Sequence, residues 1–409
     1  MDVHEKYSSP YKDYFKEHGI GNLSGSRLEM TIKKRSGFYG MVANIDENVH
    51  KLRDFLKSEN LDLNTILLYF GDNGTAGGAG TNKQSLLNNG YNAGMRGTKC
   101  LAYEGGHRNA CVISWPKGLL NNGRKQFQLT TQLDLLPTLM ELCRIPNVKN
   151  LAFDGQSIVP ALYGKTLNDR TMIVHNMQLD TPVKYKEYAV MNGPWRLVRT
   201  SWRGKDSGEM LFNLEHDPGQ KNNISQQHPE VHKKLLKSYD NWWECVSTNF
   251  ADFAEIHIGE PQQNPVLITS HAWHGDGKVY NQKHIREGNP GNGFWTIKVA
   301  NDGLYEFELR RWPREADTAI QSPLPGRFDI PFVTDLPKGK ALEISKISFK
   351  IISSSGESIF NHEKLLKAID KKLNFTIQLK AGSYRISSEC QLNDSTKVGT
   401  YYLYATKLP

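Results

Sequence analysis

A short apolar run that ends in a polar glycine turn does most to constrain the N-terminal half of this chain. Thr65-Ile66-Leu67-Leu68-Tyr69-Phe70 shows no alternation and runs straight into Gly71-Asp72-Asn73-Gly74. A strand that is apolar on both sides suits a parallel sheet covered by helices. Before it, Phe38, Val42, Ile45, Val49, Leu52 and Leu56 recur at spacings of four and three, which predicts an amphipathic helix over 36–60. Residues 1–35 read as polar and irregular. Helix, buried strand and polar loop make an α/β unit, and ligands in such folds sit outside the carboxyl ends of strands. Cys111–Pro116 reads as a second buried strand. Leu133, Leu136, Met140 and Cys143 form the stripe of a further helix.

From Tyr188 the pattern shortens. Tyr188-Ala189-Val190, Trp195–Val198 and Glu209–Phe212 predict a small antiparallel meander, and Asp217-Pro218-Gly219 a turn. Pro229 opens a helix whose apolar side is Val231, Leu235, Tyr239 and Trp242. A boundary is expected at Gly259–Pro265. Beyond it Trp295, Ile297 and Val299 alternate with polar residues, as do Tyr305, Phe307 and Leu309, with Asn301-Asp302-Gly303 as the expected hairpin turn. Further short runs follow to Ala405, the pattern of a β-sandwich. The expected organisation is an α/β domain over 1–187, an antiparallel subdomain with a helix over 188–258, and a β-sandwich over 262–409.

Composition narrows the partners. Lys and Arg exceed Asp and Glu by 51 to 43, a formal charge of +8. That is either a solvated basic surface or a field that draws anions. No basic run is interleaved with aromatics and no nucleic-acid motif occurs, so nucleic acid is not expected. No apolar run reaches the ~18 residues of a membrane span. The polar start, Met1–Tyr7, does not read as a signal peptide. Cys100, Cys111, Cys143, Cys245 and Cys390 are odd in number and lack a CxxC, which argues against a disulfide framework or a zinc site; buried free thiols are expected. N-x-S/T tripeptides occur at Asn22, Asn73, Asn223, Asn374 and Asn393, without a secretory signal to put them to use. Neither compartment nor oligomeric state follows from the sequence.

Two motifs carry chemistry. Asp72 and Asn73, at the tip of the apolar strand, are ordinary turn residues and also hard oxygen donors suited to calcium or magnesium. The second motif is Arg96-Gly97-Thr98-Lys99, continuing to Glu104-Gly105-Gly106-His107-Arg108. Its glycines let backbone approach a ligand. Lys99 and Arg108 can bind a tetrahedral oxyanion, and His107 can add a donor. The ordinary alternatives are solvated cations and a structural histidine. Glu104 is expected to pair with a neighbouring cation.

These residues, in this order, resemble the sulfatase family. Asp46-Glu47-Asn48, Asn64-Thr65-Ile66, Asp72-Asn73-Gly74, Arg96–Lys99, Glu104–Arg108 and Trp115-Pro116 carry the likeness. So do Asp134–Leu139, Asp154-Gly155-Gln156-Ser157, Leu211–Leu214 and Asp217-Pro218-Gly219, over about residues 1–250. The resemblance implies an alkaline-phosphatase-like α/β fold and hydrolysis of sulfate esters of small molecules or polysaccharides. It also implies a calcium ion and a formylglycine nucleophile made from a C/S-x-P-x-R motif. On this likeness Asp72 and Asn73 would be metal ligands and Lys99 a catalytic contact to the sulfate. His107 and Arg108 would flank the substrate. The chain holds no C/S-x-P-x-R and no Asp-Asp pair. Ser8-Ser9-Pro10-Tyr11-Lys12 is a near miss, with Lys in place of Arg. An N-terminally truncated sheet with exposed apolar surface, low activity and an incomplete calcium site are therefore expected. For a full-length relative the compartment would be periplasmic or extracellular. Gly71 stands where many relatives have Ser, and Asn109-Ala110 replaces an apolar-Pro pair. Residues around His271–His274, Asn292–Trp295 and Leu309–Pro313 resemble a β-sandwich appended to some polysaccharide-degrading sulfatases. Trp273, Trp295 and Trp312 are expected in its core, and a metal at His271 and His274 is a remoter option. The alternatives are a glycan-binding remnant without turnover and a phosphate-ester hydrolase of the same superfamily.

Overall fold

The computed structural model describes residues 3–409 apart from 77–80, 83, 89, 121–122, 177–180, 202–205, 276–278, 280, 329–334 and 393–395. Gly77, Gly78, Gly80 and Asn89, part of the stretch 75–98 that its glycines and asparagines mark as a loop, and the tripeptide at Asn393 thus lie outside the described residues. The chain divides into two compact units. One runs to Gln178 and includes Pro182–Thr248; the other holds Asn249–Pro409.

The first unit opens with α1 (Glu5–His18), where an irregular stretch was expected, and α2 (Gly25–Ser58), which holds most of the helix expected over 36–60 and starts eleven residues earlier. They hold each other. Lys6 reaches Glu47 at 3.1 Å, and the rings of Tyr11 and Phe15 lie against Tyr39. Ser8–Lys12 therefore sits within α1. The residues of α2 that are buried are Thr31, Ile32, Ser36, Gly37 and Gly40, a face of mostly small side chains that admits the α1 backbone at Ser8. The apolar stripe is not the buried face: Val42, Ile45 and Leu52 are 51%, 46% and 45% exposed. Periodicity shows which residues share a face, but not what covers it.

The apolar run forms β1 (Leu67–Phe70). After α3 (Glu104–His107) comes β2 (Cys111–Ser114), and the two strands pair antiparallel with Leu67 opposite Ser114 and Phe70 opposite Cys111. This corrects the expectation of a buried parallel strand, since Tyr69 and Phe70 are 43% and 42% exposed. A two-stranded ribbon cannot cover both of its faces. Next are α4 (Leu135–Leu142), α5 (Val159–Leu162) and β3 (Thr171–His175).

β3, β4 (Tyr188–Asn192), β5 (Trp195–Arg199) and β6 (Met210–Asn213) form an antiparallel sheet in that order. The meander is as expected, with β3 added from beyond the expected 187/188 boundary. Alternation gives the sheet two apolar faces. Tyr188, Val190, Leu197 and Leu211 pack against Leu235 and Tyr239 of α6 (Pro229–Ser247). Ala189, Val198 and Phe212 pack against Leu101, Ala102 and Tyr103. Burying a large apolar side chain contributes about 1.5–3 kcal/mol. Residues 101–103 are thereby fixed to the sheet, and they carry the flanking motif residues with them.

The second unit is largely strand: β7 (Ile256–Ile258), β8 (Val266–Thr269), α7 (Gln282–Glu287), β9 (Phe294–Val299), β10 (Gly303–Arg310), β11 (Ile344–Ser353), β12 (Ser358–Leu365), β13 (Leu373–Leu379), β14 (Gly382–Leu392), β15 (Lys397–Val398) and β16 (Tyr402–Lys407). One sheet runs β13-β10-β16-β8. The other runs β12-β11-β14-β9-β7, with β15 beside β14. Buried residues of both sheets form one cluster that includes Trp273, Trp295, Phe307, Trp312 and Phe349. The three tryptophans are core, as expected. β9 and β10 are not a hairpin, because they belong to different sheets. Asn301-Asp302-Gly303 turns the chain from one sheet to the other, with Asp302 Oδ1 accepting from Ala381 N at 2.7 Å. Two strands facing one core from opposite sheets alternate just as a hairpin does. β7 pairs in parallel with β9, so 256–258 belong to this unit rather than before its boundary. The thiol expectation holds for buried Cys390, whereas Cys111, Cys143 and Cys245 are exposed. Among the described residues no helix is long and apolar enough to cross a membrane.

Candidate functional site

Two segments meet at the end of β1. Gly74 N donates to Gly106 O at 2.9 Å, and Lys99 N donates to Thr75 O at 2.9 Å. The loop that carries Asp72 and Asn73 is thus laced to the segment that carries Lys99, His107 and Arg108. The approach is close enough to require glycine. A Cβ on Gly74 would stand 1.9 Å from Gly105 O. The second motif's glycines were expected to let backbone approach a ligand; Gly105 instead lets backbone approach backbone, since a Cβ there would stand 2.3 Å from Gly97 O.

The side chains sort by exposure. Asp72, Lys99 and Arg108 are exposed, and Asn73 is half-buried. The backbone at Asp72 and Asn73 is held from outside the loop: Gln132 Nε2 donates to Asp72 O at 3.3 Å, and Asn109 Nδ2 donates to Asn73 O. His107 turns inward. Its ring hydrogen-bonds the Ala102 backbone, and Nε2 is buried with no partner among the described residues.

Beneath them lies a buried charge network. Glu104 is 2% exposed and accepts from Arg196 Nε at 2.6 Å, with Arg108 Nη1 at 3.4 Å. Glu104 N donates to Gln220 Oε1 at 2.8 Å, and Ala102 N donates to Glu187 Oε1 at 3.0 Å. Glu104 pairs with cations as the sequence suggested. Arg196, Gln220 and Glu187 escaped sequence reading because they lie about a hundred residues downstream, on β5, after the Asp217–Gly219 turn and directly before β4. The one available signal was the Asp217-Pro218-Gly219 turn directly before Gln220.

Burial pushes the Glu104 carboxyl up, but Arg196, His107 and Arg108 pull it further down, and it rests below the usual carboxylate range. Burial likewise lowers the His107 imidazolium below its ordinary 6.5, with Glu104 opposing. His175, half-buried against Tyr239, Trp242 and Trp243 of α6, is lowered for the same reason. A histidine that is neutral when folded binds fewer protons than when unfolded. Stability from both histidines is therefore present above pH 6.5 and is lost as the pH falls below it. The stability profile of the first unit is expected to decline from pH 6.5 downward, with a second decline below 4.5, where Glu104 of the unfolded chain takes up a proton that the folded carboxylate still resists. His107→Gln should flatten the upper limb, and His175→Gln should remove the rest. A profile unchanged in both variants would contradict this account.

Two departures from the sulfatase pattern touch each other. A Cβ on Gly71 would stand 2.5 Å from Asn109 Cγ. Glycine at 71 makes room for Asn109, and Asn109 holds the Asn73 carbonyl. Two further resemblance motifs are joined by Asp134, which is fully buried. Its oxygens accept from Thr131 N at 2.8 Å, Gln156 N at 3.0 Å and Arg170 Nη1 at 2.7 Å. Those residues hold the fold rather than the site.

A carboxylate and an amide oxygen suit calcium, which takes about six to eight oxygen ligands. Among the described residues no group of three or more His, Cys, Asp or Glu is assembled to hold a metal, at Asp72 or at His271 and His274. The pair fits calcium by chemistry and falls short by number, so no chemical step is routed through a metal here.

Comparison with known proteins gives two family matches. Residues 1–145 match the sulfatase family, and residues 97–242 match the C-terminal region of N-sulphoglucosamine sulphohydrolases. An N-acetylgalactosamine-6-O-sulfatase of Bacteroides thetaiotaomicron is 31% identical over 48% of this chain and 39% of its own length. The N-acetylgalactosamine-6-sulfatase of Canis lupus familiaris is 26% identical, over 51% and 38%. Arylsulfatase K of Gallus gallus is 25% identical, over 64% and 48%. The chain spans less than half the length of each of these relatives.

Proposed function

We propose that this chain, whose residues 1–145 match the sulfatase family and 97–242 the C-terminal region of N-sulphoglucosamine sulphohydrolases, carries the metal-donor and sulfate-binding half of a sulfate-ester hydrolase site. The observation that supports this most is the lacing of the Asp72–Asn73 loop to the Lys99 segment through Gly74 and Thr75. It brings the backbone of the loop that carries the oxygen donors against the backbone of the segment that carries the Lys99 ammonium. Lys99 neutralises charge on the sulfuryl oxygens, where a preorganised cation favours the more highly charged transition state. Arg108, steered by Glu104, offers a planar fork to the same anion. His107 stays neutral beneath them.

In this reading calcium would rest on Asp72 and Asn73 with donors from outside the described set, and would withdraw charge from the sulfate ester. The formylglycine nucleophile has no counterpart in this sequence, so hydrolysis by this chain alone is expected to be weak or absent. The alkaline-phosphatase-like sheet is read as incomplete, which the exposure of Tyr69, Phe70 and Val112 supports. The second unit is read as an accessory β-sandwich, which its two sheets around one core support. Relatives named for N-acetylgalactosamine sulfates favour a sulfated polysaccharide as substrate.

The test is anion binding by the whole chain with calcium present. Inorganic sulfate should bind, and Lys99→Ala should weaken it by about tenfold, the loss expected for one charge-assisted contact. Turnover should be sought with 4-nitrophenyl sulfate and 4-nitrophenyl phosphate. Unchanged sulfate affinity in Lys99→Ala would defeat the reading, and so would turnover of the phosphate ester alone.

A further inference from the structure

Two adjacent arginines of the second unit are buried on different terms. Arg310, the last residue of β10, meets Glu308 Oε1 through its Nε at 2.6 Å. Arg311 is 1% exposed, and no carboxylate of the described residues pairs with it. Its Nη2 donates to Ile285 O at 3.1 Å and Lys340 O at 2.9 Å, and its Cζ lies 4.3 Å from the centre of the Trp312 ring. Its Nε is buried with no partner among the described residues. Removing a charge from water without a counter-charge is costly, so buried charges are ordinarily paired. Carbonyl dipoles offset part of that cost but supply no negative charge.

The same place collects further unpaired donors. β10 and β16 run antiparallel with Arg310 opposite Tyr402, so one step beyond the ladder Arg311 and Tyr401 share a side. The electrostatic pull of Tyr401 and Cys390 on Arg311 agrees with that placement. Tyr401 is fully buried and its hydroxyl has no partner among the described residues. The Trp273 ring packs on Tyr401 with centroids 5.7 Å apart, and its Nε1 is buried and unpaired as well. By contrast, Nε1 of Trp295 and of Trp312 reach Thr269 O at 2.8 Å and Ser322 O at 2.9 Å. Cys390, on β14 of the facing sheet, adds a buried thiol. Guanidinium and indole N–H groups can only donate. Burial pushes the Cys390 thiol up to about 12 and the Tyr401 hydroxyl above its ordinary 10, so neither ionises near neutrality to balance Arg311.

We propose that Arg311 Nε, the Tyr401 hydroxyl and the Trp273 indole N–H form an internal halide site in the core of the second unit, with chloride as its occupant. A halide supplies the missing negative charge and is satisfied by a few donors among apolar walls. A sulfate or carboxylate would bring two or more oxygens, each needing donors of its own. A water molecule would accept from the donors and leave the charge unbalanced. The site lies within the second unit and does not depend on the sulfate reading of the first.

The test is hydrogen exchange of peptides covering 303–312 and 400–407 in the whole chain, as chloride replaces methanesulfonate at constant ionic strength. Protection should rise about tenfold for each tenfold increase of chloride above its dissociation constant, because the anion binds the folded state alone. Bromide should act in the same way, and in crystals grown with bromide its anomalous signal should lie beside Arg311 Nε. Tyr401→Phe removes one donor and should weaken chloride binding about tenfold, with protection in chloride-free medium within about threefold of the parent. Arg311→Met should abolish the chloride dependence; if that variant does not fold, the parent titration and Tyr401→Phe decide. The proposal is overturned if protection in the parent is independent of chloride, or if bromide is found only elsewhere. It is also overturned if Tyr401→Phe lowers protection equally at every chloride concentration, the mark of a purely structural hydroxyl.

Discussion

Arg196→Met is expected to destabilise the segment 97–106 by about 3–5 kcal/mol, the usual cost of removing one partner from a buried ion pair. Arg196 is 7% exposed, and its Nε lies 2.6 Å from a carboxylate that is itself 2% exposed. Without it, Glu104 keeps only the longer contact from Arg108 and the neighbouring His107. Arg196 Nη1 also donates to Gly193 O at 2.7 Å and Trp195 O at 2.9 Å, and those carbonyls would lose a donor. Hydrogen exchange of peptides covering 97–106 reads the local opening free energy directly. Adding Glu104→Gln to Arg196→Met should recover much of the loss, because the stranded charge is then gone. A single-variant cost below about 1 kcal/mol would mean that the pair does not anchor this segment.

Gly74→Ala is expected to remove sulfate binding almost entirely. The new methyl group would stand 1.9 Å from Gly105 O and 2.7 Å from Gly105 C, neither of which can rotate away. The loop must retreat by about an ångström to reach ordinary contact, and misplacement on that scale costs about 100-fold at a preorganised site. The fold itself should lose about 1–3 kcal/mol, as for other overpacked positions. Gly71→Ala is the control. There the clash is with the Asn109 side chain, which can swing aside at the expense of its bond to Asn73 O. Sulfate affinity in Gly74→Ala within threefold of the parent would show that the lacing of the two segments does not shape the anion site.

Legibility in the sequence followed the range of the interactions concerned. The meander at 188–213 and the helix from Pro229 were readable because turn residues and periodicity act within a few positions. The core places of Trp273, Trp295 and Trp312 were readable from alternation. The apolar run at 65–70 gave a strand but misjudged its partner, because pairing and cover come from residues far along the chain. The same limit turned a β9–β10 corner into an expected hairpin and left α1 unseen, since α1 is held mainly by Tyr39 and Glu47 of its neighbour.

The sequence by itself determined which residue types stand at the site: oxygen donors at 72 and 73, an ammonium at 99, and a carboxylate beside cations at 104 to 108. Their order alone carried the family likeness, because ligand chemistry resides in side chains and survives without coordinates. Only the tertiary structure decided that Arg196 and Gln220 complete the network and that His107 faces inward. Those pairings join positions of large sequence separation, and no local propensity encodes a contact that exists only once the sheet has folded beneath it.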